Sequence, residues 1–351
     1  MVYEKEAYIA RLAVQKAAYL TRAVSEKILA DKASNTITKE DKSPVTVGDF
    51  SAQAIIINAI KTNFPNDEIV GEEDGHDLTI NADLSNKILA ELTKNDELYN
   101  SKFQIKDELL GQNFKSTDQI IKVIDQGNSE GGNKGRYWAL DPIDGTKGFL
   151  RGDQYAICLA LIKDGKVELG VIGCPNLPDS FDSPSYKGGL FTGIKSQGSF
   201  YTKLYDEKIT ENLGERIFMK NSLKSTSELK VCEGVEKGHS SHDDQFKIKT
   251  LLNIPNGQTL NLDSQVKYCS LSKGLAELYL RLPVNFQYRE KIWDHAAGNI
   301  LITESGGKVS DMYGNELDFG KGRYLDSHGV IACNSQFHSE VIKAVKETIK
   351  S

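Results

Sequence analysis

Trp138-Ala139-Leu140-Asp141-Pro142-Ile143-Asp144-Gly145-Thr146 places two carboxylates three residues apart at the end of an apolar run. Pro142 fixes its own φ and Gly145 frees the backbone after Asp144, so the sequence predicts a turn here rather than a helix or a strand. Two carboxylates a few ångströms apart repel by about 4 kcal/mol at an effective dielectric of 20. A fold that holds them together neutralises them with protons or with a cation. Oxygen ligands favour Mg²⁺, Mn²⁺ or Ca²⁺ over zinc. Asp-Pro and Asp-Gly also occur in plain surface turns, so other parts of the chain must decide.

Three further acids stand in suggestive settings. Glu72, in Gly71-Glu72-Glu73-Asp74-Gly75, follows Glu68-Ile69-Val70 and reads as a carboxylate at a strand end. Asp49 follows Thr46-Val47-Gly48 and opens an apolar stretch that predicts a helix over about 50–63, where an acid complements the helix N-terminus. Asp294 lies in Lys291-Ile292-Trp293-Asp294-His295-Ala296-Ala297-Gly298, ahead of small residues suited to a closely packed helix. For Glu72 and Asp294 the plain alternative is an N-cap or a solvated acid.

Taken in order over some 250 residues, the Asp49, Glu72, Asp141–Thr146 and Trp293–Gly298 motifs resemble the signature of the inositol monophosphatase-like family of Mg²⁺-dependent, lithium-sensitive phosphatases. Glu233 to His242, Leu262-Asp263-Ser264-Gln265-Val266-Lys267-Tyr268 and Leu280-Arg281-Leu282-Pro283 narrow the resemblance to the fungal 3′(2′),5′-bisphosphate nucleotidases. It runs from the first helix to about residue 335. It is weaker from about 75 to 125 and from about 178 to 230.

The resemblance implies a fold of alternating helix and sheet layers, α+β or α/β in class, in two domains: 1–215 with an antiparallel sheet and most metal ligands, and 216–351 with nucleotide contacts and Asp294. It implies one Mg²⁺ on Glu72, Asp141 and the Ile143 carbonyl. Asp141 bridges to a second ion held also by Asp144 and Asp294, and a third, weaker ion lies near Asp49. Thr146 orients the attacking water, and Glu72 or Asp49 takes its proton. Gly145 and Thr146 amides help hold the phosphate. His239, Ser264, Lys267 and Arg281 contact the nucleotide, the two cations suiting the phosphate that is not cleaved.

The implied reaction is hydrolysis of adenosine 3′,5′-bisphosphate to AMP and phosphate by metal-activated water, with 3′-phosphoadenylyl sulfate as a second substrate. Such an enzyme clears a by-product of sulfate assimilation, and Li⁺ and Na⁺ inhibition links it to salt tolerance. An inositol polyphosphate 1-phosphatase would share every metal ligand and differ at Gly238-His239 and Asp263 to Lys267. A catalytically inert nucleotide sensor would keep Lys267 and Arg281 while losing metal acids or Thr146.

Composition agrees with a soluble enzyme. The 351 residues suffice for two domains, and 26% charged with 39% hydrophobic residues argues against disorder. A net charge of -6 is poor for general nucleic-acid binding but allows an anionic small substrate beside bound Mg²⁺. Five cysteines without a C-x-x-C pair read as reduced, mostly buried thiols. The first residues lack an apolar signal core, and no run approaches a membrane span. The expectation is a cytoplasmic monomer.

Ile9, Leu12, Ala13, Leu20, Val24 and Ile28 predict a long amphipathic helix to about residue 29, followed by a polar loop over 31–43. Helical stretches are predicted near 83–98 and 116–126. Residues 155–162 and 167–174 read as strands joined by a hairpin turn at Lys163-Asp164-Gly165-Lys166. A further pair is expected near 189–192 and 198–202, with alternating strands and helices from about 215. Trp138 and Trp293 read as core anchors, and His295 as structural.

Overall fold

Tyr137, Trp138, Ala139 and Leu140 are all buried, yet they enter two different cores, because successive strand residues point to opposite faces. That alternation organises the whole molecule. The computed structural model describes residues 2–33, 43–105, 107–205, 207–236 and 241–350.

The chain opens with α1 (Glu4–Ala33), α2 (Ser43–Asn63) and β1 (Glu68–Gly71). Then come α3 (His76–Ile80), α4 (Ala82–Phe103), α5 (Asp107–Leu110) and α6 (Thr117–Ile124). β2 (Arg136–Asp144), α7 (Thr146–Arg151), β3 (Ala156–Lys163), β4 (Lys166–Pro178), β5 (Lys187–Ile194), β6 (Gly198–Lys203) and β7 (Glu215–Ile217) follow. β1 to β7 form a seven-stranded sheet in sequential order, parallel between β1 and β2 and antiparallel elsewhere. The remainder is β8 (Val231–Glu233), α8 (His242–Leu251), β9 (Thr259–Asn261), α9 (Val266–Ser272), β10 (Leu278–Arg281), α10 (Ala296–Glu304), β11 (Gly307–Ser310), β12 (Val330–Asn334) and α11 (His338–Lys350). Its five strands form a second, mixed sheet in the order β11-β12-β10-β8-β9.

Three apolar clusters cement these layers. Trp138, Leu140, Leu159 and Leu161 pack one face of the large sheet against α1 and α2. Its other face, through Tyr137, Ala139 and Cys158, meets α9, α10 and the small sheet. Val231, Leu278 and Ile331 on the far face of the small sheet pack against α8 and α11. The layered arrangement is the one the sequence implied. All five cysteines are free and buried. Among the described residues no helix is long and apolar enough to cross a membrane.

The Lys163–Lys166 hairpin forms as expected, with positive φ at Asp164 (51°) and Gly165 (73°). The stretch expected as a loop over 31–43 is helical at its described ends, residues 31–33 closing α1 and Ser43 opening α2; residues 34–42 lie outside the described residues.

Two local expectations are corrected. The Asp141–Asp144 segment is the end of β2, not a turn. Pro142 is tolerated there because β1 ends opposite Leu140, so no parallel neighbour needs its N–H. A bulge against β3 between Asp141 and Asp144 takes up the extra backbone. Asp49 does not open a helix; it sits inside α2, which starts at Ser43. Gly48, within α2, is a contact point: a Cβ there would lie 2.9 Å from Ile143 Cδ1. The missing side chain lets α2 lie against the end of β2.

Candidate active site

Because β1 and β2 are parallel, their C-terminal ends coincide. Glu72 N–H donates to Leu140 O at 3.2 Å, which sets Glu72 beside Asp141. Asp141 is buried, and its Oδ1 has no hydrogen-bond partner among the described residues. Asp144 follows the bulge, and its Oδ2 accepts from Gln265 N–H at 2.5 Å. Asp294 sits in the turn before α10. Asp141, Asp144 and Asp294 each offer an oxygen within 4.8 Å of the others. Gly145 then turns the chain into α7 with φ +91°, and a Cβ on it would come within 2.9 Å of Ser264 Cβ.

This crowding shows in the acidities. Burial, then Glu72, Asp144 and Asp294, hold the Asp141 carboxyl well above its usual range. Burial and Asp144 do the same to Asp294. Asp144 is raised by burial, with Lys267 opposing. Glu72 is open to solvent, yet the protein crowded around it desolvates the carboxyl enough to raise it. Such a cluster binds protons or a cation. An orphaned buried carboxylate oxygen within an all-oxygen donor set fits a hard divalent ion. Glu290, Asp294 and His295 also fall within 4.8 Å of one another. Glu290 there is engaged by Arg281 and His295, which makes this trio a poorer ion site.

The carboxylates line a cavity of about 540 Å³, and Lys267 and Arg281 line it too. Lys267 is buried, its Nζ donates to Leu262 O at 3.1 Å, and it lies 5.2 Å from the Tyr279 ring centre. Burial, helped by Arg281 and offset by Asp144, brings its pKa down to about 8. Arg281 is braced from behind. Its Nε donates to Glu290 Oε1 at 2.7 Å, His295 Nε2 meets Glu290 Oε2 at 3.1 Å, and Tyr268 Oη meets His295 Nδ1 at 2.8 Å. Burial would raise Glu290, but His295 and Arg281 outweigh it and bring the carboxyl down to about 2. One cavity thus gathers carboxylates suited to a cation and cationic side chains suited to an anion.

Among the sequence candidates, Glu72, Asp141, Ile143, Asp144, Gly145 and Thr146 line this cavity. Ser264, Lys267, Arg281 and Asp294 join them from the second half of the chain. Asp49 does not line it; it is buried behind, where burial, Glu73 and Glu72 raise its carboxyl. His239 lies outside the described residues. Sequence reasoning assigned no role to Gln265, Glu290 or Arg323. Arg323 fastens the end of β1, donating to Gly71 O at 2.7 Å and Ser129 O at 3.0 Å. Gln265 stood inside a quoted motif, which was its one signal; nothing local marks Glu290 or Arg323.

Alternating layers with a cation-competent carboxylate cluster at the ends of parallel strands define a class of α/β enzyme. Residues 6–350 match the inositol monophosphatase family, and the chain belongs to it. It is 54% identical over 363 residues to 3′(2′),5′-bisphosphate nucleotidase 2 of Candida albicans, covering 99% of this chain and 98% of that protein. It is 47% identical over 363 residues to the 3′(2′),5′-bisphosphate nucleotidase of Emericella nidulans, covering 100% of both. Among solved structures, an inositol monophosphatase from Zymomonas mobilis aligns with a TM-score of 0.61, 18% identity and 99% of both chains covered. At that identity the likeness speaks to the fold alone.

Proposed function

We propose that this chain hydrolyses the 3′-phosphate of adenosine 3′,5′-bisphosphate to give AMP and phosphate, and acts likewise on 3′-phosphoadenylyl sulfate. The observation that carries the reading is that one cavity gathers the carboxylates of Glu72, Asp141, Asp144 and Asp294 together with the cationic side chains of Lys267 and Arg281. The names of the full-length relatives support the substrate.

Glu72, Asp141, Asp144, Asp294 and the Ile143 carbonyl would hold two Mg²⁺ ions. When bound, such ions neutralise phosphoryl charge and lower the pKa of water. The chain's own groups do the rest. Thr146, exposed on the cavity wall, orients the attacking water. Glu72 accepts its proton, with Asp49 behind it as a secondary base or a ligand of a third, weaker ion. The Gly145 and Thr146 amides hold the phosphate at the start of α7, where no side chain caps the helix. Lys267 and Arg281 hold the 5′-phosphate, and Ser264 and His239 contact the nucleoside. Water attacks directly, in line, without a phosphoenzyme. The expected setting is a cytoplasmic monomer serving sulfate assimilation, inhibited by Li⁺ and Na⁺. The chain divides near residue 215 into two domains, as its two sheets suggest.

The test is phosphate release from adenosine 3′,5′-bisphosphate, inositol 1-phosphate and inositol 1,4-bisphosphate, with Mg²⁺, with chelator and with Li⁺. Mg²⁺-dependent, Li⁺-sensitive release favouring the adenosine substrate is expected. Preference for the inositol phosphates would overturn the nucleotide assignment, and chelator-insensitive release would overturn the metal reading.

A further inference from the structure

Gln265 is 1% exposed, and its backbone and side chain both grip the acidic site. Its main-chain N–H donates to Asp144 Oδ2 at 2.5 Å. Its side-chain Nε2 donates to Trp293 O at 2.7 Å, and its Oε1 accepts Gly298 N–H at 3.0 Å. Trp293 and Gly298 flank Asp294, one just before it and one in the first turn of α10. A single buried residue therefore holds Asp144 directly and spans the turn that carries Asp294.

The backbone leading into it is held in an uncommon conformation. Ser264 has φ +63° without being glycine, and its Oγ accepts Val266 N–H at 3.2 Å. Both ends of the Gln265 amide are engaged by the turn around Asp294, one N–H donating to Trp293 O and Oε1 accepting Gly298 N–H, which fixes the side chain against α10. Tyr268, one turn on, already braces His295, so the side of α9 that faces α10 is given over to support.

We infer that Gln265 is a positioning residue that sets the distance between Asp144 and Asp294 and thereby the affinity of the carboxylate cluster for a divalent ion. The inference rests on the reading of that cluster as a cation site. An amide is the side chain that can meet both demands, donating to a carbonyl at one end and accepting from an N–H at the other. Small divalent ions tolerate little error in ligand geometry. Residues that orient metal ligands typically alter affinity by about 10- to 100-fold when removed.

Mn²⁺ titration calorimetry on the wild type, Asp141→Asn, Gln265→Met and Gln265→Glu tests this, with Val341→Ala in α11 as a control for general destabilisation. Gln265→Met keeps the size and loses both side-chain hydrogen bonds. Gln265→Glu keeps the acceptor for Gly298 N–H and loses the donor to Trp293 O. The expected result is Mn²⁺ binding weakened about 10- to 100-fold in the Met variant. The Glu variant should fall between it and the wild type, and the control should not change. In turnover assays the Mg²⁺ concentration for half-activation should rise, with KM for adenosine 3′,5′-bisphosphate at saturating Mg²⁺ little changed. If the Met variant does not fold, the Glu variant carries the test. Wild-type Mn²⁺ affinity in folded Gln265 variants, with binding lost in Asp141→Asn, would overturn the role of Gln265 and leave the metal site standing. Absence of Mn²⁺ binding in the wild type would overturn both.

Discussion

Replacing Asp141 by Asn should stabilise the metal-free protein while lowering its turnover about a thousandfold. Oxygens of Asp141, Asp144 and Asp294 lie within 4.8 Å of one another. Each ionised pair at that spacing repels by about 3 kcal/mol at an effective dielectric of 20. The site relieves part of this by taking up protons, which is why burial and its neighbours raise Asp141 well above the ordinary range. The sign follows. A carboxyl whose folded pKa is raised favours the native state at low pH, and it loses that contribution as pH rises from the unfolded value near 4 through the folded one. At pH 7 the metal-free wild type therefore carries strain that the Asn variant lacks. Asp141 Oδ1 has no hydrogen-bond partner among the described residues, and an amide in place of the carboxyl can still donate to Glu72 and its other acidic neighbours.

The metal-free variant should thus be more stable by about 1–3 kcal/mol, a Tm higher by about 1–4 °C. Mg²⁺ should reverse the order. An ion at a hundredfold its Kd adds about 2.7 kcal/mol to the wild type and little to a variant that binds it poorly. Losing several kcal/mol of metal-derived charge stabilisation should lower turnover by about a thousandfold. Differential scanning calorimetry in chelator and in Mg²⁺, with phosphate-release assays, reads all three quantities. An Asn variant less stable than the wild type in chelator, yet stabilised equally by Mg²⁺, would refute the account of this cluster.

Two further outcomes rest on single groups. Burial brings Lys267 down to about 8, so kcat/KM for adenosine 3′,5′-bisphosphate should fall as pH rises through that value, while inositol 1-phosphate, with no second phosphate, should show no such limb. A shared alkaline limb would contradict the role given to Lys267. His338, 4% exposed and bonded to Ser310 Oγ at 2.8 Å, has its pKa lowered from 6.5 to about 4 by burial and then Lys308. It stays neutral in the fold while the unfolded chain protonates near 6.5. Its contribution is intact above that pH and is lost between 6.5 and 4, by about 3 kcal/mol in all. Urea unfolding at pH 7 and pH 5 should show a larger fall in stability for the wild type than for His338→Gln; equal falls would exclude the histidine as the cause.

The acidic motifs were legible because each owes its setting to nearby chain. Glu72 ends a short apolar strand, Asp141 and Asp144 end a longer one, and Asp294 precedes small residues. The local conformation of two of these segments was not legible. Pro142 argues against a strand until the end of β1 opposite Leu140 is known, and the helix was expected only after Asp49 until α2 is seen to start at Ser43, with Gly48 pressed against Ile143. Both outcomes were set by a neighbour distant in sequence.

The sequence by itself brought forward the candidate acids and cations and, through the resemblance its ordered motifs carry, the layered fold, since motifs are local properties of the chain. Only the tertiary structure decided how those groups meet. It set Asp49 behind the cavity rather than on its wall. It braced Arg281 through Glu290, His295 and Tyr268, and it gave Gln265 its hold on both Asp144 and the turn around Asp294. Hydrogen bonds that join residues 121 positions apart leave no periodic trace in a chain; they exist only once α9 and α10 are packed between the two sheets.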